Sequence, residues 1–228
     1  MARLPPEATK PDRSVMKLIA GLGNPDAEYA RTRHNVGFMI VEALAARHGI
    51  SGPKTKFHAQ VVEGTIAEQR VMLMQPTTYM NRSGLAVGEA AAFYKLEPDQ
   101  VMVVVDDTAL PLGHLRLRGA GSCGGHNGLA DIERALGSDR YARLRFGIGA
   151  PRTADGHPIP QRDYVLTRFT ADQQKEIEPS MDAACDALAC WLTDGIDLAM
   201  TRYNTPARRD PPASDDADNE EPPSKQGD

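Results

Sequence analysis

The sequence lacks any apolar run approaching the roughly 20 residues that a membrane-spanning helix needs. Its opening, MARLPPEATKPDRS, lacks the apolar centre of a secretory signal. Cysteine is scarce, and Cys123, Cys185 and Cys190 are an odd number without zinc-binding spacing, which favours neither a disulfide framework nor a structural metal cluster. These absences exclude membrane spanning, argue against secretion and predict a protein of the reducing cytoplasm.

The composition is that of an ordinary globular protein, with 228 residues, 41% hydrophobic and 25% charged. The net charge of −5 is unevenly spread, because residues 210–228 hold seven acidic residues and one lysine. Both ends of the chain are rich in proline and poor in large apolar residues, so burial cannot compensate for the entropy lost on ordering them. We predict disordered tails at 1–14 and 206–228 around one neutral domain spanning 15–205. The acidic tail is expected to be a solubilising segment, with mimicry of nucleic acid as the alternative.

Strand-like runs alternate with helical patterns along this domain. The pattern predicts strands at 17–22, 57–66, 70–74, 101–105, 114–118 and 143–148, and helices at 36–48, 83–94, 127–137 and 171–203. The run at 101–105 is apolar on both faces, which predicts a central strand. Cys185 and Cys190 fall at core positions of the longest helical pattern. This alternation predicts a layered α/β domain with a mixed, mostly parallel sheet.

The first predicted strand runs into Gly21-Leu-Gly-Asn-Pro-Asp26, which begins like a dinucleotide-binding fingerprint. Asp26 stands where that fingerprint needs a third glycine, and its charge would repel a pyrophosphate. The interpretation that remains is a tight turn presenting Asn24 at the carboxyl end of a strand. That edge of an α/β sheet is where ligands usually bind.

His34 immediately precedes a predicted helix, and Asp106 ends the buried strand at 101–105. A single histidine is a suitable general base, although a purely structural role is the alternative. A buried carboxylate costs free energy unless it is paired, and an imidazole N–H is a suitable partner. The pair Asp106 and His34 therefore favours chemistry, whereas Asp107 fits a turn or capping role better.

Asn24, Asn81 and Asn127 each fall in a turn beside a strand or helix, near small residues. Side-chain amides suit a site that binds a peptide-like group and stabilises an oxyanion without adding charge. Each asparagine alone is better explained as a helix cap. Three of them in corresponding places favour a shared pocket.

Two other chemistries are weaker alternatives. The loop Ala120-Gly-Ser-Cys-Gly124 nearly matches a nucleophile elbow, with Ser122 or Cys123 as nucleophile, but the first glycine of the elbow is missing. A flexible glycine-rich loop explains the segment better. A metal site built from His34, Asp106 and His126 has no recognised ligand spacing.

Arginines are concentrated in one part of the sequence. They are Arg116, Arg118, Arg134, Arg140, Arg143, Arg145 and Arg152. Arg143 and Arg145 share one face of a strand, and the planar arginine fork suits phosphate. A solvated face balanced by nearby acids is the alternative. Because the domain is neutral overall, we expect any nucleic-acid contact to be local and salt-sensitive.

Taken together, the motifs closely resemble those of bacterial peptidyl-tRNA hydrolases, in order, over about residues 16–203. The motifs are LIAGLGNP at 18–25, Tyr29, TRHNVG at 32–37, PTTYMNRSG at 76–84, VVDD at 104–107, GGHNGL at 124–129 and RLRFGIG at 143–149. The resemblance implies a single three-layer α/β domain whose twisted, mixed sheet is flanked by helices. It also implies hydrolysis of the ester that joins a peptide to the terminal ribose of tRNA, which recycles tRNA from abandoned translation.

The resemblance further implies roles for individual residues. It makes His34 the base that activates water and Asp106 the group that orients the imidazole of His34. It also makes Asn24 the third member of the catalytic site. The substrate-binding residues it implies are Tyr29, Met80, Asn81, His126 and Asn127, with Arg118 and Arg145 clamping a tRNA phosphate. It implies a monomer with peptidyl-tRNA as its partner, no cofactor, no metal, no membrane and no covalent intermediate.

Four positions depart from the family pattern, and one of them is Cys123, which occupies a place often taken by a small residue. Arg118 stands where many members have lysine, Tyr79 where phenylalanine is common, and Ala109 where some members have an acidic residue. The loop 150–161 and both tails lie outside the motifs and receive no role. The alternatives are a noncatalytic RNA-binding relative of the same fold and an esterase using Ser122 or Cys123.

Overall fold

The computed structural model describes residues 15–153 and 155–204. The predicted tails at 1–14 and 206–228 lie outside these residues. The strands are β1 Lys17–Gly21, β2 Lys54–Lys56, β3 Ala59–Ile66, β4 Gln69–Pro76, β5 Val101–Asp107, β6 Leu115–Arg118 and β7 Ala142–Gly147. The helices are α1 Val36–Arg47, α2 Ser83–Tyr94, α3 Asn127–Leu136, α4 Gln161–Val165, α5 Ala171–Asp194 and α6 Ile196–Tyr203. Short 3-10 turns lie at Ala27–Tyr29, Arg33–Asn35, Met80–Arg82 and Pro98–Gln100.

The strands form one seven-stranded sheet in the order β2-β3-β4-β1-β5-β7-β6. The four strands β4, β1, β5 and β7 run parallel side by side, while β3 and β6 pair antiparallel with β4 and β7. β5 lies inside the sheet between β1 and β7 and is almost entirely buried. The predicted central strand and the predicted mixed, mostly parallel sheet are therefore confirmed.

Helices cover both faces of the sheet. Successive residues of a strand pack against opposite helical layers, because their side chains alternate in direction. Ile19 of β1 packs in the cluster that contains α1, α5 and α6. Its neighbours Leu18 and Ala20 pack in a second cluster with α2 and α3. The result is the three-layer arrangement implied by the family resemblance.

Three elements differ from the sequence prediction. The single helix expected at 171–203 is two helices, because Gly195 adopts φ 87° between α5 and α6. The strand expected at 57–66 is present as β3 over 59–66, but Phe57 and His58 adopt positive φ in a two-residue turn that joins it to the unpredicted strand β2. Such turns usually carry glycine or asparagine, so this one had no sequence signature. Helix α4 was not predicted at all.

The longest helix, α5, buries the two cysteines as predicted. Cys185 and Cys190 are 1% and 6% exposed, and burial raises the pKa of the Cys185 thiol to about 11. Within the part of the chain that the structure describes, no helix is both long and apolar enough to cross a membrane.

Two glycines bring β1 against α1. A Cβ built on Gly21 would lie 2.2 Å from the carbonyl oxygen of Gly37, and one on Gly37 would lie 2.5 Å from the carbonyl oxygen of Val104. Gly21, the last residue of β1, thus serves close backbone packing against α1. The contact holds the turn Arg33–Asn35 at the carboxyl ends of β1 and β5.

Candidate active site

A cleft of about 750 Å³ opens at the carboxyl ends of β1 and β5. Strand ends supply one wall, and the glycine-rich loop before α3 supplies another. Helix α4 closes the third side with Gln161, Arg162 and Val165, followed by Leu166. The predicted site residues among its lining are Asn24, His34, Asp106, His126, Asn127 and Arg145. The sequence indicated no role for the 150–161 loop and did not predict helix α4, which follows it. The only sequence signal for this α4 wall was the apolar run Tyr-Val-Leu at 164–166.

His34 and Asp106 are in contact, as the sequence suggested. Nδ1 of His34 lies 2.7 Å from Oδ1 of Asp106, and the carboxylate is only 5% exposed. The same oxygen also lies 3.2 Å from Nε2 of His126. We call these three residues the carboxylate–histidine cluster. The bond from His126 was not predicted, because the resemblance placed that residue only as a pocket lining.

The hydrogen bonds determine which nitrogen of each ring carries the proton. The backbone N–H of Leu129 donates to Nδ1 of His126 at 3.3 Å, so a neutral His126 carries its proton on Nε2 and donates it to Asp106. A neutral His34 donates from Nδ1 to the same carboxylate. The Nε2 atom of His34 is then left with a free lone pair, which is what a general base requires.

Asp106 is held as a carboxylate. Burial by itself raises the pKa of Asp106, but hydrogen bonds from His126 and His34, together with the charges of these rings, outweigh burial and hold the pKa well below its usual value. A buried anion is tolerated here because both of its neighbours donate to it. The negative charge in turn stabilises a positively charged His34 when that ring takes up a proton.

The cluster also brings together the three residues whose spacing showed no metal signature. One donor atom from each of His34, Asp106 and His126 lies within 4.8 Å of the others. A metal ion at this point would have to displace the protons that both rings direct at Asp106. It would also force a proton onto Nδ1 of His126, where the N–H of Leu129 already donates. The donor set therefore fits a hydrogen-bonded cluster better than a metal centre.

Asn24 is held in place by an asparagine that the sequence analysis missed. The side chain of Asn35 accepts from the backbone N–H of Asn24 and donates to its carbonyl, both at 2.9 Å. The Oδ1 atom of Asn24 accepts from the backbone N–H of Met80 at 2.9 Å. Its Nδ2 group remains as the donor beside the cleft. The only sequence signal for this role of Asn35 was its position next to His34.

Of the remaining predicted residues, Met80 packs beside the cleft, whereas Tyr29 and Asn81 lie outside its lining. A Cβ on Gly128 would lie 2.8 Å from Sδ of Met80 and 3.2 Å from Cε1 of His126, so both pack against the first turn of α3. Tyr29 and the exposed Asn81 lie in neighbouring 3-10 turns and do not line the cleft.

Tyr79 is 54% exposed and joins the two loops that carry these turns. Its hydroxyl donates to Oδ2 of Asp26 at 2.8 Å, and this bond raises the pKa of Tyr79. The Tyr79 hydroxyl is therefore already hydrogen-bonded within the protein.

Arg33, beside His34, ties the cluster to the α4 wall. Its guanidinium lies 4.6 Å from the ring centre of Tyr164 and 5.1 Å from that of Phe169. It donates to Oγ1 of Thr167 and to Oε1 of Gln173, each at 2.7 Å. The turn that holds His34 is thereby fastened to the segment that follows α4.

Arg145 and Arg143 both hold the glycine-rich loop, which confirms that they share a face of β7. Arg145 lies 3.3 Å from Oδ2 of Asp107 and donates to the carbonyls of Ser122 and Cys123 at 3.1 Å. Arg143 is 1% exposed and donates to the carbonyls of Gly121 and Ser122. Arg143 therefore serves as a support for the loop, and Arg145 remains the β7 arginine that lines the cleft.

Arg116 and Arg118 lie directly opposite this pair in register. Arg116 pairs with Arg145 and Arg118 with Arg143, so all four side chains leave the same face of the sheet. Arg118 is exposed and lies outside the cleft lining. We call Arg116, Arg118 and Arg145 the basic face.

The alternative nucleophiles lack an activating base. Among the described residues, no histidine ring nitrogen is hydrogen-bonded to the hydroxyl of Ser122 or the thiol of Cys123, and both histidines of the cleft direct a nitrogen at Asp106. An activated nucleophile needs such a base within reach. The geometry therefore favours water as the nucleophile.

Comparison with known proteins identifies the family of this chain. The family profile described as Peptidyl-tRNA hydrolase matches residues 18–211. The peptidyl-tRNA hydrolase of Carboxydothermus hydrogenoformans is 49% identical over 189 residues, covering 83% of this chain and 98% of the relative. That of Rhodopirellula baltica is 47% identical over 189 residues, covering 83% and 97%. The crystal structure of peptidyl-tRNA hydrolase from Acinetobacter baumannii, 37% identical, matches with a TM-score of 0.75 over 83% of this chain and 95% of that one. The chain belongs to the peptidyl-tRNA hydrolase family.

Proposed function

We propose that this protein hydrolyses the ester bond between peptide and tRNA, releasing tRNA for reuse in translation. The observation that carries the proposal is the cleft itself, in which a buried carboxylate holds His34 with its Nε2 lone pair free. Membership of the peptidyl-tRNA hydrolase family supports the substrate class. The chemistry needed is ester hydrolysis by an activated water.

In the proposed mechanism, Nε2 of His34 removes a proton from water while the water oxygen bonds to the ester carbonyl carbon. The tetrahedral intermediate then collapses, the bond from carbon to the ribose oxygen breaks, and His34 returns the proton to that oxygen. The products are a free peptide carboxylic acid and tRNA with its terminal ribose hydroxyl restored. Asp106 acts as a positioning residue that keeps the proton of neutral His34 on Nδ1 and stabilises the imidazolium.

Side-chain amides are the proposed partners of the developing negative charge. Asn24 offers its Nδ2 group beside His34, because its own oxygen is already bonded to Met80. Asn127 lines the same cleft at the start of α3. Donors fixed before the substrate arrives stabilise an oxyanion without reorganisation. We propose that Asn81, Tyr29, Met80 and His126 complete the peptide-binding side.

The basic face supplies the proposed tRNA contacts. Arg145 borders the cleft and Arg118 is exposed on the adjacent strand, so a nucleic-acid phosphate could be bound while the ester reaches His34. Arginine binds phosphate through two parallel donors. Arg118 in place of the more common lysine keeps the charge and adds this geometry.

We further propose that residues 15–205 work as a monomeric unit in the cytoplasm, where translation supplies the substrate. Neither a metal nor a cofactor has a part in the proposed mechanism. Sedimentation at several protein concentrations tests the monomer directly. A mass of two chains at working concentration would overturn it.

The experiment that tests the function measures release of free tRNA from an N-blocked aminoacyl-tRNA, in the presence of EDTA. We expect turnover by the wild type and by Cys123→Ala and Ser122→Ala, and loss of turnover in His34→Ala. Loss of activity in Cys123→Ala or Ser122→Ala would support a covalent esterase instead. A folded wild type without turnover, yet with affinity for tRNA, would support the noncatalytic RNA-binding alternative.

A further inference from the structure

The described part of the chain ends at the edge strand β6, which carries two residues of the basic face. The side chain of Asn204 accepts from the backbone N–H of Leu117 at 2.6 Å and donates to the carbonyl of Leu117 at 3.3 Å. Leu117 lies on the edge strand β6 between Arg116 and Arg118. The last described residue, Asn204, is therefore held at the strand that carries these two arginines.

Those two arginines lack a compensating charge. Arg145 has a carboxylate partner in Asp107. Within residues 15–153 and 155–204, no carboxylate forms an ion pair with Arg116 or Arg118, and Nε of Arg116 is buried without a hydrogen-bond partner. Uncompensated positive charge on one face attracts an anionic partner.

The sequence after Asn204 is such an anion. Two arginines, Arg208 and Arg209, come first, and then five of the seven positions 215–221 are acidic. A chain extends at most about 3.3–3.6 Å per residue, so the eleven residues from 204 to 215 can reach roughly 36–40 Å. That distance is much longer than the spacing of about 5 Å between neighbouring strands. Residues 215–221 also lie beyond the part of the chain that the family profile matches.

We infer that the acidic segment 215–221 binds the basic face of its own chain and competes there with tRNA phosphate. This inference rests on the proposed function, because it concerns how tRNA reaches the same site. Tethering gives such a segment an effective concentration of about millimolar, whereas each exposed ion pair is individually weak. The segment thus raises the tRNA concentration needed for half-maximal turnover, selects against weakly bound RNA and leaves the chemical step unchanged.

The test compares the full chain with a chain ending at residue 209 and with a full-length variant carrying D215N, D216N, D218N, E220Q and E221Q. A matched control changes the same segment without changing its charge, through P211A and P212A. At low salt we expect both charge-removing variants to lower KM and the Kd for tRNA by about threefold to tenfold, with kcat unchanged. Because exposed charges are screened by salt, we expect the difference to vanish near about 0.5 M salt.

A second measurement adds a synthetic peptide of residues 210–228 to the shortened chain. We expect it to compete with tRNA for the shortened wild type and to lose most of that effect against shortened Arg118→Ala. Equal tRNA affinity of the full-length, neutralised and shortened chains at low salt would overturn the inference. Binding is measured separately from turnover, so failure of ester hydrolysis is distinguished from failure of this competition.

Discussion

The carboxylate–histidine cluster and the basic face differ in how far their charges are paired within the protein. Asp106 is buried and receives hydrogen bonds from both histidines, so its charge is satisfied within the protein. On the basic face, Arg118 is exposed and pairs with no carboxylate of the described residues. A buried, fully hydrogen-bonded carboxylate keeps the fixed geometry that catalysis needs. An exposed, unpaired arginine attracts an anionic partner, and salt screens that attraction. Substitutions should therefore separate turnover from affinity.

The largest expected effect follows from His34→Ala. Loss of the general base should lower single-turnover hydrolysis by about 10²-fold or more, the usual scale for such a group. Binding of uncharged tRNA, measured by fluorescence titration, should change less than about twofold because the phosphate contacts are intact. Normal turnover in this variant would show that another group activates the water.

Asp106→Asn should come next. It removes the charge that stabilises a protonated His34 and weakens control of its tautomer, so kcat should fall by about tenfold to a hundredfold while KM stays nearly constant. Steady-state kinetics on the purified, folded variant makes this measurement. An effect confined to KM would place Asp106 in substrate binding instead.

The same substitution should change stability in a pH-dependent way. Because the folded protein holds the pKa of Asp106 below its ordinary value, the ionised carboxylate stabilises the fold above the unfolded pKa of about 3.9. That contribution is lost as the pH falls further. Urea unfolding should show the wild type's advantage over Asp106→Asn shrinking between about pH 5 and pH 2. A constant difference over this range would mean that the carboxylate is not preferentially ionised in the fold.

Arg118→Ala should affect affinity alone. We expect the Kd for tRNA to rise by about fivefold to tenfold and the logarithmic salt slope to fall by about one, with kcat unchanged. Arg134→Ala is the matched control, because that arginine is also exposed but lies on α3 with Asp131 as its partner. Equal effects of the two substitutions would mean that only overall charge matters.

Tyr79→Phe should give the smallest effect. The lost bond to Asp26 is exposed to water, so KM should change less than about threefold. Kinetics with N-blocked substrates of different peptide length checks this. A large loss confined to long peptides would make the hydroxyl a determinant of peptide binding.

The sequence predicted the elements with clear periodicity and the contact between two distant residues. His34 was suggested as the partner of Asp106 because a buried carboxylate needs a hydrogen-bond donor and an imidazole N–H is a suitable one. The second bond to Asp106, from His126, depends on the path of a glycine-rich loop that no periodicity describes. Helix α4 and the β2 hairpin were missed because one is five residues long and the other turns without glycine. Arg33 and Asn35 support the site through buried contacts that appear only after folding.

The bonds between Asn204 and Leu117 also bear on aggregation. The open edge of a sheet can recruit a strand from another molecule. By offering one donor and one acceptor to Leu117, the side-chain amide of Asn204 occupies this edge of β6 as a neighbouring peptide group would. At the opposite edge, β2 is only three residues long and carries two exposed lysines, Lys54 and Lys56. Both edges of the sheet are thus protected against pairing with strands of other chains. The side-chain amide of Asn204 occupies one edge, and the short length and positive charge of β2 protect the other.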